Sequence, residues 1–286
     1  MELEEYINNA VNVFSLPDAC VRIKSLIDDD TSDIEDIAEV INYDPALTAK
    51  LLRLANSALY NFPSQVDTIA KALQIIGLKG VYDFVIADGV ATALSKVVTN
   101  VIDLDRFWQQ SVFTALVCKK LGEELRTEEP ERLFVAGLLH NVGELVVLES
   151  TPATALNCEA VTADNYPWQV QQQQLNMTYV QVTAALLSEW QLPEKIITPL
   201  DTLSRLFSKQ LDIKETDQEA KILFAAVHLA LCDVYPTVYE ANDVLPEHCY
   251  ADLSVDKDIV NDALDYANLE AYNILMIMNP GSAMVF

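Results

Sequence analysis

Apolar residues recur at helical spacing along most of this chain, and the short alternating runs that mark strands are few. The densest stretch is PERLFVAGLLHNVGELVVLE, from Pro130 to Glu149. Leu133, Phe134, Gly137, Leu138, Val142, Leu145, Val146 and Leu148 cover too much of its surface for one stripe. That pattern predicts a single long helix buried nearly all round. His140 and Asn141 form a polar island in its middle. Burying an imidazole and a carboxamide costs roughly 2–7 kcal/mol each unless they find hydrogen-bond partners, so these two residues need a reason to be there.

The rest of the chain also reads as helices. Residues 2–13 predict a short acidic helix before Leu16-Pro17, and a second helix runs from Pro17 to about Ile27 with Cys20, Ile23, Leu26 and Ile27 inward. Ser32-x-x-Glu35 has the form of a capping box for a helix from Asp33 to about Asn42. Asp44 as N-cap with Pro45 in the first turn starts the next, which carries Leu47, Leu51, Leu54 and Ala55 on one face. Asn56 and Ser57 suit its end, and Arg53 is expected to pair with a carboxylate. Gly77 fits a left-handed helix end. A helix from Leu78 to about Lys96 leads into VVTNVIDLD, the expected boundary between two subdomains, 1–100 and 101–286. Asp105 is the expected cap of a helix with Phe107, Trp108, Val112, Leu116, Val117 and Leu121 inward.

Further on, Thr151-Pro152 opens a helix, and the run Gln171 to Gln174 predicts an exposed helix face. Tyr179 to Trp190 is helical up to Leu192-Pro193, and Lys221 to Val234 is an apolar helix. From Asp256 to Met278, Ile259, Ala263, Tyr266, Leu269, Tyr272 and Leu275 fall in phase. With only seven glycines in 286 residues, the expected fold class is all-α.

Composition narrows the function. Half the residues are hydrophobic, which marks a folded chain. The net charge of −25 opposes binding to nucleic acid or to an anionic membrane surface. MELEEYINNA has no signal-peptide core. The longest uninterrupted apolar run, around Ile222 to Cys232, is broken by His228 and falls short of the ~20 residues that cross a bilayer. Cys20, Cys118, Cys158, Cys232 and Cys249 are scattered without a CxxC, as reduced thiols would be. A cytoplasmic protein is expected. Asp28-Asp29-Asp30 is not an EF-hand, because Asp33 and Glu39 stand where glycine and glutamate would follow. No P-loop, GxGxxG, GxSxG or HExxH occurs. Cys232 and His228 lie four apart on one helix, a spacing too common to carry chemistry.

Three stretches carry a family resemblance. AGLLHNVGELVVLE resembles the second motif of the HD superfamily of metal-dependent phosphohydrolases, with Asn141 where those enzymes have aspartate. INYDPALTAKLLRLANSALYNFPSQVDTIAKALQIIGLKGV and AALLSEWQLPEKI are similar to signatures of its HDOD branch, regarded as non-catalytic bacterial signalling modules. That resemblance implies a multi-helix fold with a helical N-terminal half and an HD-like C-terminal half.

It also implies where metal ligands would stand. FWQQS places Gln110 at the first histidine, His140 and Asn141 take the central pair, and VHLAL places Leu231 at the late aspartate. Asp233 lies roughly 200° further round that helix. Auxiliary histidines are matched by Tyr179 and by Leu203-Ser204. Only His140 of four core ligands remains, so no metal, no cofactor and no enzymatic activity are expected. Gln110, His140, Asn141, Tyr179 and Leu231 are the expected lining of a vestigial pocket, with Gln110 and Glu144 as partners of the central pair and His228 a satisfied core histidine. The function implied is regulation by binding another signalling protein. The 286 residues hold no companion signalling domain, so input is expected from a separate protein or small ligand. Two alternatives stand beside it: a nucleotide-like ligand sensor in the vacated pocket, and a residual phosphohydrolase.

Overall fold

In a computed structural model helices make up most of the described residues. The structure describes residues 1–29, 32–60, 62–95, 97, 99–239, 245 and 247–279, with backbone alone for 247 and 248. Asp30 and the side chain of His248 lie outside the described residues. Among the described residues no strand forms, and one isolated antiparallel bridge joins Thr162 to Asn165.

The helices are α1 (Leu3–Val13), α2 (Asp18–Ile27), α3 (Ile34–Tyr43), α4 (Pro45–Ala55), α5 (Ile69–Ile76) and α6 (Leu78–Leu94). They continue as α7 (Leu104–Glu124), α8 (Pro130–Leu139), α9 (Gly143–Ser150), α10 (Pro152–Cys158), α11 (Pro167–Leu175) and α12 (Tyr179–Glu189). The last are α13 (Glu194–Phe207), α14 (Gln218–Val234), α15 (Glu247–Leu253) and α16 (Lys257–Met278). Two compact units emerge. One comprises Met1–Val13 with Val97–Ala271, the other Phe14–Lys96 with Tyr272–Phe286. The chain passes from the second unit to the first at Lys96–Val97, and each unit also takes in one end of the chain. Helix α1 packs on α9 and α12, burying Tyr6, Ile7 and Ala10, and the Tyr6 hydroxyl meets Thr151 Oγ1 at 2.8 Å.

Local chemistry explains most element starts. Asp44 Oδ1 accepts from the amides of Ala46 and Leu47, with Pro45 in the first turn of α4. Asn56 closes that helix by donating from Nδ2 to Leu52 O and Val66 O while its Oδ1 accepts from Val66 N–H. Two caps sit off their expected residues. Asp33, not Ser32, caps α3, in a reciprocal box with Asp36. Asp103, not Asp105, caps α7 through the amides of Asp105 and Arg106. In both cases an aspartate near the start outcompetes the nominal cap because its carboxylate reaches two amides at once. Gly77 has the expected positive φ, +81°, but with ψ 157° it is extended, so α5 turns directly into α6.

Two face assignments differ from expectation. Gln171 is buried, leaving Gln173 and Gln174 on the outer face of α11. On α16 Ala263 and Leu275 are buried as expected, with Val260, Ala267, Ala271 and Ile274, but Leu269 is 76% exposed and Tyr272 is exposed too. Lastly, Pro130–Ser150 is long and apolar enough to cross a membrane, but 89% of that window is buried inside the fold.

Candidate functional site

The expected single helix from Pro130 to Glu149 is instead α8 and α9, joined through His140, Asn141 and Val142. The backbone there tightens to i→i+3 bonds: Val142 N–H to Leu139 O, Glu144 N–H to Asn141 O, and Leu145 N–H to Val142 O. The cause lies in α12. Thr183 Oγ1 accepts from Gly143 N–H at 2.7 Å and lies 3.1 Å from His140 O and 3.0 Å from Tyr179 O. A hydroxyl inserted into the helical ladder diverts its bonds and breaks the helix at that point. Gly143 permits the approach, since a Cβ there would stand 2.1 Å from Tyr179 O. Gly137 does the same for α8 against α7, where a Cβ would meet Ala115 Cα at 2.8 Å.

The break aims His140 and Asn141 into a cavity of about 20 Å³, whose walls include Gln110 of α7, Trp168 and Gln171 of α11, and Leu231 of α14. Four of the five expected residues therefore meet. Tyr179 is not among the lining residues; its amide donates to Gln171 Oε1 at 2.9 Å, and its buried hydroxyl lies beside Cys158 and Glu144. Trp168 and Phe207 stack with centroids 4.0 Å apart at the wall. His228, 2% exposed, packs against Trp168 and Phe224 with Nδ1 2.8 Å from Phe224 O. It is the satisfied core histidine the pattern predicts.

His140 Nδ1 lies 2.6 Å from Gly137 O. A carbonyl accepts only, so that nitrogen carries the proton and Nε2 presents a lone pair. Nε2 is buried with no hydrogen-bond partner. Burial pushes the imidazole down to about 4, so it is neutral at pH 7. Asn141 Nδ2 donates to Glu144 Oε2, as the central pair was expected to do. Arg106 lies 3.7 Å from Glu144 Oε1 and pairs with Glu159. Sequence reading missed Arg106 and Glu159, because their meeting depends on α7 and α10 folding together.

Glu144 is pushed up to about 7, first by burial and then by Glu159, with Arg106 and Asn141 opposing. A carboxyl whose folded value exceeds its ordinary 4.5 stabilises the fold while protonated, and that contribution is lost as pH rises through about 7. Glu144→Gln is therefore expected to remove roughly 3 kcal/mol of pH dependence between about pH 4.5 and 7. Paired thermal melts across that range check this; parallel pH profiles for the two proteins would refute it.

An HD-type metal does not fit these residues. One imidazole nitrogen, two carboxamides and a leucine supply no negative charge, and divalent sites normally take three or four protein ligands. Among the described residues no three His, Cys, Asp or Glu side chains converge as a metal site. Asp233 is not among the cavity's lining residues.

The molecule is thus an all-α protein with a narrow, largely buried polar site that contains one imidazole. The HDOD domain family model matches residues 13–204, and the chain belongs to that family. It is 26% identical over 191 residues to an uncharacterised Treponema pallidum protein, a match covering 65% of this chain and 36% of that one. The chain thus spans about a third of that relative's length. Among solved structures it resembles a Shewanella amazonensis protein provisionally described as a phosphohydrolase, with TM-score 0.70 and 23% identity over 95% of this chain and 96% of the other. An HDOD domain protein of unknown function from Geobacter sulfurreducens follows at TM-score 0.67 and 21% identity, covering 96% and 98%. A Marinobacter aquaeolei protein provisionally described as a signal transduction protein gives 0.66 and 20%, covering 99% and 66%. These likenesses establish the all-α HDOD fold.

Proposed function

We propose that this chain is a non-catalytic signalling module that acts by binding a protein partner. The observation that carries the reading is the narrow site itself. Of the residues standing at HD ligand positions, Gln110, His140, Asn141 and Leu231, only the histidine is a strong ligand for a divalent ion, the carboxamides being neutral oxygen donors, and the space between them is about 20 Å³. That volume suits a single water, whereas small-molecule pockets run to roughly 300–1,000 Å³. A nucleotide-like ligand in the vacated site is disfavoured on size, and a residual phosphohydrolase on ligand chemistry. The five cysteines are free thiols, which suits a reducing compartment, and a cytoplasmic location is part of the same proposal.

The purified protein is expected to hold no stoichiometric transition metal and to hydrolyse neither phosphomonoesters nor cyclic nucleotides. Elemental analysis and phosphatase assays with added manganese test this; one equivalent of metal per chain overturns it. The net charge of −25 favours a basic partner. Association with it is expected to slow roughly tenfold or more between low and high salt, because steering charges are screened. A captured partner whose association rate ignores salt would remove that role for the charge.

A further inference from the structure

A second cavity lies wholly within the unit that contains α2, α4 and α6. Its volume is about 150 Å³, and its walls include Cys20, Leu47, Lys50, Val85, Asp88 and Thr92. Helices α2 and α6 approach closely beside it, since a Cβ on Gly89 would lie 2.7 Å from Cys20 Sγ. Asp88 stands in a helix that is apolar nearly all round, 7% exposed between Ala87 and Gly89. Its Oδ1 takes the Lys50 ammonium at 2.5 Å. Burial pushes the carboxyl upward, and Lys50 opposes that shift.

The Asp88 side chain is nearly buried while that of Lys50 is 24% exposed, so the pair stands at the cavity wall, where an ion pair adds little net stability. The two partners do not use up each other's hydrogen-bonding capacity. An ammonium carries three donors, and the bond from Lys50 Nζ to Asp88 Oδ1 uses one of them. Hydrogen-bond donors and an acceptor are therefore presented side by side at the wall of a cavity otherwise lined mainly by apolar groups.

We propose that this cavity is a binding site for a small, uncharged cis-amide, such as a lactam or a pyrimidine-base edge. The amide carbonyl accepts from Lys50 while its N–H donates to Asp88 Oδ2. Lys50 and Asp88 neutralise each other, and Asp44, which also lines the cavity, is engaged by the Ala46 and Leu47 amides at the start of α4, so a charged ligand would lose its hydration against Cys20, Leu47 and Val85 with little countercharge free to meet it. A cavity near 150 Å³ holds a benzene-sized molecule, which sets the ligand at about six to eight non-hydrogen atoms. The site is independent of the narrow one at His140 and does not rest on the partner-binding reading.

The test is calorimetric and ligand-observed NMR titration of the full chain with 2-pyridone, uracil, N-methyl-2-pyridone and glycine. Saturable binding of 2-pyridone and uracil at one per chain is expected, weakened at least tenfold when N-methylation of the pyridone removes the donor. Lys50→Met should lower affinity at least tenfold. Ala46→Trp places a large ring at an exposed wall residue of the cavity and should do the same without disturbing the buried pair, which keeps the test intact if the Lys50 variant fails to fold. Absence of saturable binding, equal affinity for the N-methyl compound, or unchanged affinity in Ala46→Trp would each overturn the assignment. Preference for glycine over 2-pyridone would overturn the amide and indicate a zwitterion site.

Discussion

Asn141→Asp is expected to destabilise the protein by about 2–4 kcal/mol at pH 8 while restoring neither metal nor hydrolysis. The substitution recreates the HD dipeptide but not the site, because Gln110 and Leu231 still stand at the other ligand positions. Locally it replaces a donor with an acceptor. Asn141 Nδ2 now donates to Glu144 Oε2, so the new carboxylate would face a buried carboxylate already pushed up to about 7. Two such groups in contact hold one proton between them at neutral pH. Arg106, 3.7 Å from Glu144 Oε1 and already paired with Glu159, offsets only part of the repulsion. A folded-state value above the unfolded one means stability is present at low pH and lost as pH rises. The deficit should therefore shrink markedly at pH 5.5. Urea denaturation at both pH values, with elemental analysis and phosphatase assays in manganese, measures all three outcomes. Equal stability of the two proteins at pH 8 would mean that the buried environment accommodates a second charge. Activity in the variant would mean that a residue outside the assigned set completes a metal site.

Gly143→Ala should cost roughly 3 kcal/mol or more, beyond ordinary overpacking. The added methyl would stand 2.1 Å from Tyr179 O and 2.9 Å from Val182 Cβ. The first obstacle is backbone, so no rotamer change relieves it. Separating α9 from α12 would also pull Thr183 Oγ1 from Gly143 N–H and His140 O, leaving buried polar groups without partners. Equilibrium denaturation should show a lower midpoint, and the NMR signal of the His140 ring should shift, since the break that aims it is held by the same contacts. A stability change below about 1 kcal/mol would show that α12 can move aside freely.

Much of the candidate site was legible in residue identity. Asn141 cannot carry a carboxylate's charge and Leu231 cannot ligate in any fold, so the depleted ligand set follows from composition at matched positions. The Asn141–Glu144 hydrogen bond follows from three-residue spacing across a helical turn. Tyr179 was misplaced because matching its position says nothing about which way its ring turns. Gln171 was read as exposed because four consecutive glutamines look uniform, yet its side-chain oxygen is needed by an amide eight residues away.

By itself the sequence determined the all-α class, the starts of α4, α10 and α12, the inward faces of α4 and α7, and the donor chemistry available at Gln110, Asn141 and Leu231. Each is a local property: helical period, a capping group within three residues, or the chemistry of one side chain. Only the tertiary structure decided the break between α8 and α9, because the hydroxyl that causes it arrives from Thr183, forty residues on. It alone set the volume left around His140, the pairing of Arg106 with Glu159, and the meeting of Lys50 with Asp88 across thirty-eight residues. Periodicity tells a helix which face to bury but not which helix will cover it, and a buried polar group's partner is settled only when those faces meet.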